Sequence, residues 1–243
     1  MKNLKKAAFL FLTVTFITNA SAQWGKNKKV VGNGNVTTKT VSTGEYDAIK
    51  AQGSMDFILV DGNEGSISVT TDDNLHDYII IETNGDELII KKKKGVNLRT
   101  KKGIKIEIPI RDISEATLTG SGDLYGKTKI KANNFATKLT GSGDVRLEID
   151  ASNVYAKVTG SGDMSLRGSA SNFELTLTGS GDYDGKELKA DNTEVTVSGS
   201  GDASVYAKNS IKARVNGSGD IEYYGNPSNK DTKVNGSGDI DGN

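Results

Sequence analysis

The 243-residue sequence contains no cysteine, only two prolines and a single histidine, His76. Without cysteine the chain has no disulfide framework, no thiolate metal site and no cysteine nucleophile. Any catalytic triad or histidine-based metal site would depend on His76 alone. The 31 lysines and arginines balance the 31 aspartates and glutamates, so no overall positive charge favours nucleic acid as a partner.

Residues 1–22 are typical of a secretory signal peptide. Three lysines within positions 2–6 precede an apolar stretch at 7–18, and small residues follow up to Ala22. The apolar stretch is shorter than the ~20 residues that a membrane-spanning helix needs. We therefore expect an exported protein, periplasmic, outer-surface or secreted, with no transmembrane segment in residues 23–243. It is not a lipoprotein, because lipidation requires a cysteine.

Glycine is abundant, with 29 residues, and much of it lies in a repeated tetrapeptide. Gly-Ser-Gly-Asp occurs seven times, and successive copies begin at nearly equal intervals along the chain. The copies lie at 120–123, 141–144, 160–163, 179–182, 199–202, 217–220 and 236–239. Recurrence at such a short and regular spacing indicates a stack of one supersecondary unit.

Apolar and polar residues alternate before each tetrapeptide, as in half-buried strands. A unit of ~19 residues with two or three short strands and no helical periodicity is too short for a propeller blade. It fits one coil of a β-solenoid, in which equivalent strands of successive coils pair in parallel ~4.8 Å apart. Two inward ladders are predicted, one of Phe135, Val154, Phe173 and Ile211 and one of Leu139, Val158, Leu177 and Val197. An asparagine precedes the first strand of several units, and because asparagine tolerates positive φ it is predicted to turn the corner there. These residues are Asn134, Asn153, Asn172 and Asn192.

The amino-terminal part carries a weaker form of the same pattern. Gly53-Ser54-Met55-Asp56 differs from the tetrapeptide at one residue, and Asn84-Gly85 is a hairpin signal between longer strands. We predict an all-β fold with a single β-solenoid domain over 23–243. Its residues 23–113 form irregular, wider coils or a meander, and its residues 114–243 form regular coils. Helix is limited to a turn near 72–77.

The repeated aspartates have two interpretations. Their carboxylates can accept hydrogen bonds from nearby backbone amides and so close the corner. Stacked one coil apart they also repel each other, by about 3 kcal/mol per pair at an effective dielectric of ~20, and a calcium ion between coils would offset this. The calcium candidates are Asp123, Asp144, Asp163, Asp182, Asp202, Asp220 and Asp239, and no other cofactor is expected.

One basic cluster interrupts the balanced charge pattern. It comprises Lys91, Lys92, Lys93, Lys94, Arg99, Lys101 and Lys102. It is a candidate ligand site for an anionic surface or an acidic glycan. The alternative is a solvated strand end whose lysines deter sheet-to-sheet aggregation.

No catalytic constellation stands out. The repeated aspartates are near-identical copies, whereas a catalytic carboxylate pair needs two unlike environments. Tyr155 and other scattered tyrosines are candidates for sugar contacts.

The repeated Gly-Ser-Gly-Asp, the preceding Leu/Val-Thr and the closing sequence Ile-Glu-Tyr-Tyr-Gly-Asn-Pro at 221–227 resemble a bacterial family. It is the "putative auto-transporter adhesin head GIN domain" family, and the resemblance covers about residues 30–242. The resemblance implies a right-handed β-helix on an exported protein, with no catalytic residues to carry over.

Three functions follow as hypotheses. The first is a non-enzymatic, adhesin-like binding module whose partner is a cell-surface glycan or protein. The second is a polysaccharide-active enzyme on the same scaffold. The third is a structural envelope protein that self-associates end to end through the strand edge of its last coil.

Overall fold

The computed structural model describes residues 27–243, so the expected signal peptide lies outside the described residues. The protein is nearly all strand, with 69% strand and 3% helix. Within residues 27–243 no helix is long and apolar enough to cross a membrane. The strands are β1 (Lys28–Val31), β2 (Val36–Ser42), β3 (Ala48–Gly53), β4 (Asp56–Asp61), β5 (Ser66–Asp72), β6 (Ile79–Asn84), β7 (Glu87–Lys92), β8 (Val96–Arg99), β9 (Lys105–Ile110), β10 (Glu115–Gly120), β11 (Asp123–Gly141), β12 (Val145–Gly160), β13 (Met164–Gly179), β14 (Tyr183–Asp184), β15 (Leu188–Gly199), β16 (Ala203–Tyr206), β17 (Ser210–Gly217), β18 (Ile221–Tyr224), β19 (Asn229–Gly236) and β20 (Ile240–Gly242).

The strands form a β-solenoid of about seven turns with ~19 residues per turn, which confirms the predicted fold class. On one side of the tetrapeptide corner, β10 and the ends of β11, β12 and β13 pair in parallel, followed by β15, β17 and β19. On the other side, the starts of β11, β12 and β13 pair in parallel with each other and then with β14, β16, β18 and β20. Each coil therefore contributes one strand to each of two faces that meet at the corner.

Both predicted inward ladders are present. Phe135, Val154 and Phe173 are in register on successive coils, and Thr193 separates them from Ile211. All five side chains of this ladder are at most 3% exposed. The second ladder, from Leu139 to Val197, is fully buried. Burying one such apolar side chain contributes about 1.5–3 kcal/mol, so the stacked ladders are the main source of stability in a chain without disulfides.

The tetrapeptide glycines allow successive corners to stack in close contact. Gly160 has φ +124°, a left-handed conformation that side chains disfavour. Gly162 has no such φ, but a Cβ there would lie 2.0 Å from the carbonyl oxygen of Gly143 in the preceding coil. Met55 occupies this position in Gly53-Ser54-Met55-Asp56, and its side chain is buried. On the other side of Met55 the neighbouring strands are β7 and β9, which are joined by residues 93–104 and not by a tetrapeptide, so no glycine corner stacks on this position.

The amino-terminal end mixes solenoid coils with antiparallel strands. β3 and β4 pair in parallel with β10 and β11, so they form a first coil that is separated in sequence from the others by β5–β9. β7 and β9 add in parallel to β3 and β4. β2 pairs antiparallel with β5, and β5 pairs antiparallel with β9. The predicted β6–β7 hairpin is present, but its two-residue turn is Gly85-Asp86, one residue after the predicted Asn84-Gly85. The predicted helical turn is the short 3-10 helix η1 (Asp73–Tyr78), which follows β5.

The prediction that the corner asparagines adopt positive φ is wrong. Among the described residues every positive φ belongs to a glycine. The asparagines are instead placed by hydrogen bonds between their side chains in successive coils, as described below.

Candidate functional site

An open groove of about 820 Å³ follows the solenoid axis. It lies at the corner of each coil that precedes the strand leading to the tetrapeptide. Five successive coils contribute equivalent positions, so at ~4.8 Å per coil the groove is about 19 Å long. Along its floor lie Asn153, Asn172, Asn192, Ser210 and Asn229. Its outward-facing wall is formed by Tyr155, Glu174, Glu194, Lys212 and Asp231.

The floor of the groove is a ladder of side-chain amides. Asn153 Nδ2 donates to Asn134 Oδ1 at 2.8 Å, and Asn172 Nδ2 donates to Asn153 Oδ1 at 2.8 Å. Asn192 Nδ2 donates to Asn172 Oδ1 at 3.1 Å, and Ser210 Oγ donates to Asn192 Oδ1 at 2.8 Å. An asparagine amide has two N–H donors and two acceptor lone pairs, so an asparagine inside the ladder uses one donor and one lone pair, half of its capacity. The remaining donors and acceptors form a regular row along the groove.

The wall of the groove combines one aromatic ring with paired charges. Tyr155 is 47% exposed, so part of its ring is open to the groove. Glu194 ion pairs with Lys212 at 2.5 Å, and Asp231 ion pairs with Arg214 at 2.5 Å. Hydrogen bonding to Arg214 lowers the pKa of Asp231 from its usual value. The wall therefore offers a polar surface with one flat apolar contact.

The sequence contains the signal for this groove, but the same signal also predicts asparagines that turn the corner. Asn134, Asn153, Asn172 and Asn192 recur in the sequence at the spacing of one coil. The same spacing is expected for asparagines that turn a corner and for asparagines that form a ladder. Only the structure distinguishes the two.

The tetrapeptide aspartates form a second ladder, at the other end of the same strands. The backbone N–H of Asp144 donates to Asp123 Oδ1 at 3.0 Å, and that of Asp182 donates to Asp163 Oδ1 at 2.9 Å. The same bond joins Asp202 to Asp182, Asp220 to Asp202 and Asp239 to Asp220, at 2.8 to 2.9 Å. Each of these amide donors offsets part of the repulsion between stacked carboxylates.

Two aspartates of the corner make different contacts. Asp144 Oδ2 accepts from Arg146 Nη2 at 2.8 Å. Asp123 accepts from the Tyr125 hydroxyl at 2.7 Å, which raises the pKa of Tyr125. At the first step of the stack the amide of Asp123 donates to the Met55 carbonyl instead of the Asp56 carboxylate. Burial raises the pKa of Asp56, and the nearby charge of Asp123 adds to the effect.

Within the described residues no group of three or more histidine, aspartate or glutamate side chains is arranged to hold a metal ion. Calcium binding by the aspartate ladder stays a prediction. The amide contacts lead to a specific expectation. Asp202→Ala removes the acceptor of the Asp220 amide and should lower the free energy of unfolding by about 1 kcal/mol, whereas Asp202→Asn keeps an acceptor and should change it little.

Urea unfolding of both variants, with calcium and with chelator, measures this difference. A double variant, Asp182→Asn with Asp202→Asn, is measured in the same way, because it removes two neighbouring carboxylates and keeps both hydrogen-bond acceptors. A calcium-dependent gain in stability that this double variant loses would show that the ladder holds cations and would contradict a purely structural corner.

The basic residues found in the sequence lie at the end of β7 and in the connection from β7 to β9, which includes β8. Because β7 and β9 pair in parallel with β3 and β4, the connection lies at the same corner as the tetrapeptides. The amide of Asp56 donates to the Ile104 carbonyl at 2.9 Å and so joins the β3–β4 coil to the connection from β7 to β9. Lys91 ion pairs with Glu82 at 2.6 Å. Lys92, Lys93, Lys94, Arg99, Lys101 and Lys102 are exposed.

His76, the single histidine, lies on η1 and is partly buried, and its Nε2 lies 3.0 Å from Thr37 Oγ1. Partial burial and the charge of Lys39 lower its pKa. His76 is therefore part of the contact between η1 and β2.

Several solved bacterial structures have the same fold. A "putative adhesin" from Bacteroides fragilis is 24% identical with a TM-score of 0.81, and the alignment covers 88% of this chain and 100% of that one. A "putative lipid binding protein" from Parabacteroides distasonis is 28% identical with a TM-score of 0.74, covering 89% and 100%. A "putative adhesin" from Parabacteroides merdae is 22% identical with a TM-score of 0.69, covering 89% and 99%.

No curated protein matches the chain. Residues 45–227 match the family described as "Putative auto-transporter adhesin, head GIN domain", as the resemblance predicted. Because this match spans about three quarters of the sequence, the chain belongs to that family.

Proposed function

We propose that the protein is an exported, non-enzymatic, adhesin-like module that binds an extended cell-surface glycan in the asparagine-lined groove. The observation that carries the proposal is the row of unused amide donors and acceptors along about 19 Å of the groove. A chain of sugar units presents hydroxyl groups on every unit, and asparagine amides can bond to such groups as donor and as acceptor. The exposed ring of Tyr155 supplies a flat apolar surface for a sugar face.

The chemistry of the groove favours a carbohydrate over a lipid. Its apolar lining is interrupted by the amide ladder of the floor and by the charged side chains of the wall, and its inward side chains, such as Phe173 and Ile211, are at most 3% exposed. A lipid chain needs a continuous apolar surface, which the groove does not offer. The family and most of the similar structures are described as adhesins, and one as a lipid-binding protein.

The groove also contains two neighbouring glutamates, which raises the question of hydrolysis. Glu174 and Glu194 occupy equivalent positions on β13 and β15, and both are exposed. Glycoside hydrolysis requires one carboxyl group in a distinct, usually apolar, environment. Two exposed carboxylates in the same setting, one of them bonded to Lys212, support binding without cleavage.

A glycan array of neutral and acidic oligosaccharides of four or more units tests the proposal. We expect Asn172→Leu and Tyr155→Ala each to weaken binding about tenfold, the equivalent of one good hydrogen bond or stacking contact. Asn216→Leu is the matched control, because Asn216 accepts from Asn235 Nδ2 at 3.1 Å in a second amide pair outside the groove. Binding that is equally weakened by all three variants, or release of reducing ends from a bound glycan, would contradict the proposal.

A further inference from the structure

The structure adds two lysines to the basic cluster. β1 pairs in parallel with β8, with Lys28 opposite Val96 and Val31 opposite Arg99. The amide of Lys28 donates to the Gly95 carbonyl at 2.8 Å, and the amide of Gly32 donates to the Arg99 carbonyl at 2.7 Å. Lys28 and Lys29 thereby join residues 91–102, and together these residues are called the cationic corner below.

Alternation along β1 divides the cationic corner between the two opposite faces of the β1–β8 pair. Lys28 and Lys93 lie beside the ring of Tyr78, at 5.5 and 5.8 Å from its centre. On the other face, four cations surround a cavity of about 340 Å³. They are Lys29, Arg99, Lys101 and Lys102.

These cations differ from most others on the molecule in having no carboxylate partner. On the solenoid, basic side chains on one coil pair with acids on the next, as in Lys138 with Glu115 at 2.8 Å and Lys129 with Asp150 at 3.1 Å. Within residues 27–243, none of the four cations around the cavity forms an ion pair with a carboxylate. Like charges are thus held together without compensation, and an arrangement of this kind is stabilised when an anion binds.

One carboxylate does line the cavity, but its hydrogen bonds are directed into the fold. Asp72 is 1% exposed, accepts the Gly34 amide at 2.6 Å through Oδ1 and accepts the Thr100 hydroxyl through Oδ2. The Thr100 hydroxyl is the main cause that lowers the pKa of Asp72, so Asp72 stays ionised at neutral pH. Asp72 fixes the loop that carries Arg99, Lys101 and Lys102, and its single charge leaves the cavity positive.

The cavity also has an apolar part. Val31 lines it and is 57% exposed, the highest exposure among the large hydrophobic side chains of the described residues. An anion with carbon attached satisfies both features, because its charged oxygens can contact the lysines and Arg99 while its carbon contacts Val31. A phosphate ester on a lipid head group has this composition.

We propose that the cationic corner binds the phosphate groups of an anionic phospholipid surface, a role beyond glycan binding in the groove. A membrane surface is favoured over a small soluble phosphate because the cations extend over both faces of the β1–β8 pair as well as the cavity. Each lysine or arginine that approaches an anionic membrane adds to the attraction, and the attraction weakens with salt. Bound in this way, the amino-terminal end of the solenoid contacts the membrane, and the groove follows the axis away from it.

Co-sedimentation of residues 23–243 with vesicles tests the proposal. The vesicles contain phosphatidylglycerol and phosphatidylcholine at a ratio of about three to seven, or phosphatidylcholine alone, and each kind is used at low and at high NaCl concentration. We expect binding only to the anionic vesicles, weakened at least tenfold by the higher salt, because salt screens the attraction. A triple variant with Lys29→Gln, Lys101→Gln and Lys102→Gln should weaken binding at least tenfold at the lower salt.

The matched control is a second triple variant, Lys138→Gln, Lys157→Gln and Lys233→Gln, which removes the same charge from the outward face of the solenoid. It should weaken binding less than twofold, and circular dichroism should show both triple variants folded. Equal losses in the two variants, or no preference for anionic vesicles, would overturn the proposal. Calorimetry with glycerol 3-phosphate identifies the source of the phosphate, since tight binding of this soluble ester without vesicle binding would overturn the membrane assignment. Groove variants such as Asn172→Leu should leave vesicle binding unchanged, so the two proposals fail independently.

Discussion

Gly162→Ala is expected to destabilise the central coils strongly, because the added methyl group meets the backbone of the preceding coil. The new Cβ would lie 2.0 Å from the Gly143 carbonyl oxygen and 2.9 Å from the Gly143 nitrogen. Both atoms belong to backbone that is itself stacked on Gly122, so no flexible side chain can move aside. Overpacking of this kind costs about 3 kcal/mol, the upper end of its usual range, which is a large share of the stability of a typical domain.

Two glycine variants separate this steric effect from other effects of alanine. Gly44→Ala places a Cβ 3.6 Å from Thr83 Oγ1, an ordinary contact, and should leave the free energy of unfolding nearly unchanged. Gly34 has φ +85° with no atom within 4 Å of a Cβ, so Gly34→Ala should cost about 1 kcal/mol from conformation alone. Urea unfolding followed by circular dichroism compares the three. If Gly162→Ala costs no more than Gly34→Ala, the close stacking of the corners is not what requires glycine.

The close contact at the corner also determines the geometry of the proposed binding groove. The glycine columns, the aspartate–amide bonds and the asparagine ladder all repeat with the same rise per coil, because all belong to the same parallel strands. A coil that shifted to admit a side chain at Gly162 would also change the distance between Asn153 and Asn172. The Gly-Ser-Gly-Asp repeat therefore supports ligand binding by keeping the groove regular, without contacting the ligand.

The regular coils could be predicted from the sequence because their signals are local. Alternation within a strand and recurrence after ~19 residues are visible without knowing which residues meet in space. The amino-terminal end was harder because its contacts are distant in sequence. β3 pairs with β10, so Ile49 lies opposite Ala116, and β1 pairs with β8, so Lys28 lies opposite Val96. No periodic pattern connects such residues, and for this reason the sequence does not assign Lys28 and Lys29 to the basic cluster.

The candidate site shows a second limit. A column of asparagines is compatible with backbone turning or with side-chain bonding, since both need a small polar residue at the same position in every coil. Glycine takes every positive φ in the described chain, which leaves asparagine to form the ladder. The groove is a product of stacking, and a single coil does not contain it.

Phe135→Ala is expected to lower the free energy of unfolding by about 3–5 kcal/mol, the range for removing a buried phenyl group. Phe135 is fully buried and stacks in register on Val154 of the next coil, so alanine leaves a cavity inside the solenoid. In a stack of similar coils, stability depends on nearest-neighbour contacts, and a weak coil lowers the cooperativity between the two halves. Hydrogen exchange should therefore show the greatest loss of protection in β10 and β11, with a smaller loss in β17 and β19.

Tyr155→Ala is the matched control for Phe135→Ala, because Tyr155 is an aromatic residue one coil away that points outward. With nearly half of its surface exposed, its removal should change the free energy of unfolding by less than about 0.5 kcal/mol. The same variant should weaken glycan binding about tenfold through the groove, since stacking on a sugar face is lost. The two substitutions thus have opposite expected outcomes, loss of stability for Phe135→Ala and loss of binding for Tyr155→Ala. A Tyr155→Ala protein as unstable as Phe135→Ala would mean that the groove wall is part of the structural core, and the proposed binding site would have to be abandoned.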